Sequence, residues 1–172
     1  MHRCLGVVLA GGLSSRMGSD KALLLRQQQK MLDFSQQLLN EAGVDDVVIS
    51  GDKYGIADLY PQAGPLSGIY SVIKQTPCSS VLVLPVDLPL ITSKALKELK
   101  HIGQLTQKAC FYKNHAIPMY LPINGLTELF FEQAFTHFNG KGPSVRSLVK
   151  QVPHQALPLT DERLLMNTNT PQ

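Results

Sequence analysis

Short apolar runs ended by glycine or proline alternate along this chain with stretches whose apolar residues recur every three or four positions. Leu5 to Leu9, with Gly11-Gly12 behind it, has the length and flanks of a buried strand. Leu32, Leu38, Leu39 and Ala42 then fall at helical spacing up to Gly43, a plausible helix stop. Val47-Val48-Ile49 predicts a second strand. Leu66, Ile69, Tyr70 and Ile73 predict a second helix, and Val81 to Leu84 a third strand stopped by Pro85. Thr92 to Ile102 predicts a third helix, with Thr92 or Ser93 as its N-cap. Farther on, Ala109–Tyr112 and Ile117–Leu121 read as strands, Leu126–Phe138 and Val145–Val149 as helices. Pro153, Pro158 and Pro171 break up the last twenty residues.

Strand and helix alternating in this way predict an α/β fold in three layers, a mostly parallel, Rossmann-like sheet covered by helices on both faces. With no repeat and no long linker, residues 1–172 are expected to form one domain. In open sheets of this kind ligands bind at the carboxyl ends of the strands, so the informative residues should follow the strands.

Composition narrows the class. Hydrophobic residues make up 44% and charged residues 17%, which excludes a disordered chain. A net charge of +3, spread along the sequence, suits an anionic small substrate and gives no basic patch for nucleic acid. Cys4, Cys78 and Cys110 are three, far apart and without a C-x-x-C pair, so reduced thiols and a cytoplasmic setting are expected. No apolar stretch approaches the roughly 18 residues of a membrane span, and no membrane partner is expected.

Leu9-Ala10-Gly11-Gly12-Leu13-Ser14-Ser15-Arg16-Met17-Gly18-Ser19-Asp20-Lys21 carries the strongest chemical signal. Adjacent glycines let the backbone turn and aim its N–H groups at a ligand, while a guanidinium and an ammonium follow within ten positions. Phosphate binding uses those parts. The alternative is a flexible loop with chance charges. The loop fits neither the Walker pattern nor the G-x-G-x-x-G fingerprint. A lone carboxylate, Asp87, stands between Pro85 and Pro89 behind the apolar third strand. That suits magnesium, which takes few protein carboxylates and keeps waters and phosphate oxygens. The alternative for Asp87 is a cap on the next helix.

The loop LAGGLSSRMGSDKALL resembles the signature of the molybdenum cofactor guanylyltransferases, the nucleotidyltransferases that make molybdopterin guanine dinucleotide. Gly64-Pro65-Leu66-Ser67-Gly68-Ile69, Leu84-Pro85-Val86-Asp87-Leu88-Pro89 and Asn167-Thr168-Asn169-Thr170-Pro171 resemble three further blocks of that family. The resemblance implies GTP binding by Leu9, Ala10, Gly11, Gly12, Lys21, Ser50, Asp58 and Asp87, with Ser50 where the family usually has Asn. It implies catalytic roles for Arg16, Lys21 and Asp87, and magnesium on Asp87. Asn167 and Asn169, with Arg146 of the GKGPSVR segment, are implied on the acceptor side. Residues up to about 100 would then serve the nucleotide and the remainder the acceptor.

The implied activity is transfer of GMP from GTP to the phosphate of molybdopterin or its molybdenum form. A CTP-using or sugar-phosphate nucleotidyltransferase and a catalytically weak GTP-binding partner protein are the alternatives. The expected partners are GTP and molybdopterin, with transient contact to molybdenum insertion proteins or molybdoenzyme chaperones, and a monomeric state is expected.

Overall fold

The structure, a computed structural model, describes residues 2–10, 25–26, 29–51, 55–61, 63–136 and 138–167. In chain order the elements are β1 (Cys4–Leu9), β2 (Leu25–Arg26), β3 (Gln29–Lys30), α1 (Met31–Glu41) and β4 (Asp46–Ser50). There follow α2 (Pro65–Gln75), β5 (Ser80–Pro85), α3 (Ser93–Thr106), β6 (Ala109–Tyr112) and β7 (His115–Pro122). The chain continues with α4 (Gly125–Thr136), α5 (Val145–Gln151), β8 (His154–Leu157) and one 3-10 turn, Glu162–Leu165.

Six strands form one sheet in the order β4-β1-β5-β7-β6-β8, while β2 and β3 make a short antiparallel ribbon apart from it. β4, β1 and β5 are parallel, β7 runs against β5 and β6, and β8 is parallel to β6. β7 is therefore the one reversed strand of the six. The expected mostly parallel α/β sheet is what the chain builds.

Side chains alternate across the sheet, as a period of two requires. Cys4, Val8, Leu82, Leu84, Cys110, Tyr112 and Tyr120 join one core with α1 and α3. Leu5, Val7, Val81, Val83, Phe111, Met119 and Leu121 join the other with α2, α4 and α5. Strands buried on both faces read as unbroken apolar runs, which is why β1 and β5 were legible in the sequence.

The helix starts follow local chemistry. Thr92 caps α3, its hydroxyl accepting from the Ala95 N–H at 3.2 Å. Pro65 occupies the first turn of α2, where a missing N–H costs nothing, and Gly64 ahead of it takes φ 87°, a conformation open to glycine. The amino ends of β1, β4 and β5 are stitched by side chains. Asp45 accepts from the Cys4 N–H at 2.8 Å, Ser79 accepts from the Arg3 N–H at 2.8 Å, and Arg3 pairs with Asp46 at 3.1 Å.

Two differences from the sequence reading stand out. His154–Leu157 is a strand where prolines suggested irregular chain, because Pro153 and Pro158 bracket it without entering it. The ribbon Leu25–Arg26 with Gln29–Lys30 lies ahead of α1 and gives no apolar signal of its own. Among the described residues, no helix is long and apolar enough to cross a membrane.

Candidate nucleotide site

β1 lies between β4 and β5, and its two neighbours are reached by crossovers in opposite directions. The carboxyl ends of these strands therefore meet at a switch of strand order, the place where open α/β sheets leave a crevice. Backbone bonds fix the ends against each other. The Ala10 N–H donates to the Ser50 carbonyl at 2.9 Å, and the Val86 N–H donates to the Leu9 carbonyl at 3.2 Å.

Leu9, Ala10, Ser50 and Asp87 thus leave three adjacent strands at one end of the sheet. Asp87 is half-buried, one residue past the Val86 contact. It does not cap the following helix, since Thr92 holds that position.

Asp58 comes from the connection between β4 and α2 and is half-buried. The Ile56 N–H donates to the Ile49 carbonyl, and Gly51 N–H to Ile56, each at 2.8 Å, so the segment folds back over the end of β4. Helix α2 then supplies the floor. A Cβ placed on Gly68 would stand 2.5 Å from Ser50 Oγ, 3.4 Å from Asp58 Oδ1 and 3.5 Å from Leu9 Cδ2. Leu9, Ser50 and Asp58, widely spaced in sequence, converge on one glycine because a side chain there would fill the room they share.

The acceptor-side residues divide. Arg146 sits exposed in the first turn of α5. The segment before it is close to α2, since a Cβ on Gly142 would overlap the Ala63 carbonyl, just ahead of Gly64. Asn167 is exposed and follows the 3-10 turn, which is held by Asp161 accepting from the Arg163 N–H at 3.0 Å. Arg163 in turn holds the Asp161 carboxyl below its usual range, through a side-chain and then a backbone hydrogen bond. Gly11, Gly12, Arg16, Lys21 and Asn169 lie outside the described residues.

Among the described residues, no three His, Cys, Asp or Glu side chains gather as a metal cage. A single half-buried carboxylate at a strand end still fits magnesium, whose other ligands are waters and substrate phosphates, and does not fit a structural zinc. The cysteines offer no alternative chemistry. Burial pushes the Cys110 thiol up to about 11, and it also raises those of Cys4 and Cys78.

Two further residues have a place near this site, Ser67, read in the sequence only as part of the Gly64–Ile69 block, and Ser71, not singled out there. Ser67 and Ser71, one turn apart on the inward face of α2, bond the backbone that follows Asp58. Their side of α2 also carries Gly68, Lys74 and Gln75, so in the sequence they read as part of a polar helix side and gave no signal.

A family model described as a MobA-like NTP transferase domain matches residues 6–156. The chain is similar to the molybdenum cofactor guanylyltransferase of Xanthomonas euvesicatoria, 35% identical over 177 residues, covering 97% of this chain and 90% of that protein. Its fold is similar to that of molybdopterin-guanine dinucleotide biosynthesis protein A from Archaeoglobus fulgidus, with TM-score 0.72 and 19% identity over 97% of this chain and 93% of that one. A manganese complex of a Mycobacterium tuberculosis protein also shares the fold, with TM-score 0.64 and 20% identity over 91% of this chain and 88% of that one.

Proposed function

Since this chain belongs to the MobA-like NTP transferases, and within them to the molybdenum cofactor guanylyltransferases, we propose that it transfers GMP from GTP to the phosphate of molybdopterin. The supporting observation is the convergence of Leu9, Ser50 and Asp58 on Gly68 at the switch of strand order, with Asp87 following the adjacent strand β5. A site at the carboxyl ends of strands, at such a switch point, suits a nucleotide.

In the reaction an oxygen of the acceptor phosphate attacks the α-phosphorus of GTP. The new P–O bond forms as the bond to the β-phosphate bridging oxygen breaks, and pyrophosphate leaves with that electron pair. The attacking group is already an anion, so no general base is required. The barrier lies in bringing two anions together in line.

Leu9, Ala10, Gly11 and Gly12 would receive the base and ribose side, with Asp58 and Ser50 at the same wall. Arg16 and Lys21 would neutralise the phosphates, a guanidinium fork and a point charge. Asp87 would hold Mg2+, which supplies charge stabilisation on the transferring and departing phosphates when bound. Arg146, Asn167 and Asn169 would orient the acceptor, the amides offering both donors and acceptors to a pterin edge. In this reading residues up to about 100 form the nucleotide part of a single domain and the rest its acceptor part. A cytoplasmic setting agrees with three unpaired cysteines, of which Cys4 and Cys110 are buried.

The test is pyrophosphate release by the purified protein with molybdopterin, Mg2+ and either GTP or CTP. Acceptor-dependent release with GTP and at least about tenfold less with CTP is expected, because a site bonded to one base leaves groups unpaired with another. Equal release with both nucleotides would move the protein to a different nucleotide class.

A further inference from the structure

Helix α2 buries Leu66, Ile69 and Val72 completely, as a core helix should, yet it buries Ser67 and Ser71 just as completely. A buried helical serine commonly spends its hydroxyl on the carbonyl one turn back. Ser71 does this, donating to the Ser67 carbonyl at 2.7 Å, but its oxygen also accepts the Leu59 N–H at 2.8 Å. Ser67 donates its own hydroxyl to the Tyr60 carbonyl at 2.7 Å.

The dipeptide Leu59-Tyr60 is therefore held at both ends, its Leu59 N–H donating to Ser71 and its Tyr60 carbonyl accepting from Ser67. The Tyr60 ring extends the anchor. It stacks on Phe135 with centroids 4.6 Å apart and leans on Phe138 at 4.9 Å, tying the segment to α4. Asp58 is the residue immediately before this clamp, and its Oδ1 lies beside Gly68, between Ser67 and Ile69 on the same helix.

We infer that Ser71, together with Ser67 and Tyr60, is a positioning residue for nucleotide binding, holding the Asp58 carboxylate at the floor of the site. This rests on the proposed role of Asp58 as a nucleotide contact. Both serines are fully buried on the side of α2 that also carries Gly68, and their hydroxyls are taken up by the chain after Asp58. The same turn of α2 that supplies the Gly68 opening also fixes the chain carrying the carboxylate above it.

A double-mutant cycle on GTP·Mg2+ binding, read by calorimetry on the full chain, tests the inference with S71A, D58N and the combined variant. S71A should weaken binding about fivefold, the loss of one orienting hydrogen bond. In the D58N background, itself at least about tenfold weaker, S71A should change affinity by less than about twofold, since its partner is already gone. The melting temperature should fall by the same amount in both backgrounds.

An equal loss from S71A in both backgrounds, or none in the wild type, would overturn the positioning role and leave Ser71 as fold support. Wild-type affinity in D58N would instead show that Asp58 is no nucleotide contact, and the positioning role would fall with that reading. Should S71A fail to fold, Y60L and Y60F replace it. Y60L should repeat the non-additive pattern, while Y60F keeps the ring and the affinity. Additive loss from Y60L, or affinity in Y60F as poor as in Y60L, would equally overturn the inference.

Discussion

The half of the sheet built from β4, β1 and β5 and the half built around the reversed strand β7 each bury one helix glycine, and the two glycines have opposite neighbours. Gly68 of α2 faces the polar atoms Ser50 Oγ, at the end of β4, and Asp58 Oδ1, in the connection that follows it. Gly103 of α3 faces a ring, and a Cβ there would overlap Tyr120, standing 2.7 Å from its Cγ and Cε1. A helical glycine costs about 1 kcal/mol relative to alanine, so each position must return that cost in another form. In the proposed reading the return in the first half is room for a nucleotide; in the second it is close packing of α3 on β7. Substitutions can break that division.

The largest effect belongs to the parallel half. Asp87→Asn keeps the shape of the side chain and removes its charge. Transfer should fall by about 100-fold or more, the usual scale for losing one aimed electrostatic partner. The melting temperature should stay within about 2 °C. Wild-type turnover at ordinary Mg2+ would remove Asp87 from the reaction.

Next comes Gly103→Ala. The Tyr120 ring is 3% exposed and has little room to move, so overpacking should cost about 1–3 kcal/mol. For a chain of this size that is roughly 2–12 °C in melting temperature. GTP affinity of the folded protein should not change. A shift in affinity as large as that in stability would dissolve the division between the halves.

Gly68→Ala should behave in the opposite way. The nearest atom, Ser50 Oγ, can rotate aside, so the melting temperature should move by no more than about 3 °C. The methyl remains beside Asp58, and GTP should bind about tenfold more weakly. Titration calorimetry and a thermal melt on the same preparation separate the two outcomes.

The smallest effect concerns pH. Burial, with Glu98 adding to it, pushes the Cys110 thiol up to about 11, and burial also raises Cys4, Tyr112 and Tyr120 in the same core. A group whose native value is raised stays protonated in the fold after the unfolded chain has lost its proton. For Cys110 the stability is whole below pH 9.0, the thiol's ordinary value, and declines as pH rises toward 11. The urea midpoint should therefore fall over that interval, and Cys110→Ala should flatten the slope. An unchanged slope would assign the loss to other groups.

Five of the six sheet strands were legible in the sequence, β6 at its own bounds and β7 to within two residues, and the miss lies at the edge of the second half. β1, β4 and β5 are apolar runs punctuated by glycine or proline, and each was legible to within two residues at either end. β8 was not, since it lies at the sheet edge with only Leu157 buried and carries no run to detect. The site shows the same split. Asp87 stood out as a carboxylate in an unusual setting, and Asp58 through family resemblance alone. Ser67 and Ser71 did not, because hydroxyls inside a helix announce a partner only once Leu59 and Tyr60 are seen against them. Long-range contacts of that kind are set by tertiary packing, which no local pattern encodes.

That the nucleotide is held at the carboxyl ends of β4, β1 and β5 is tested most directly by amide hydrogen exchange with and without GTP·Mg2+. Protection should rise at Leu9 and Ala10, from Ser50 through Leu59, from Leu66 to Gly68 and at Val86 and Asp87. Exchange in β6 and β8 should not change. Protection confined to β6, β8 and the segment from Gly140 to Arg146 would contradict the assignment.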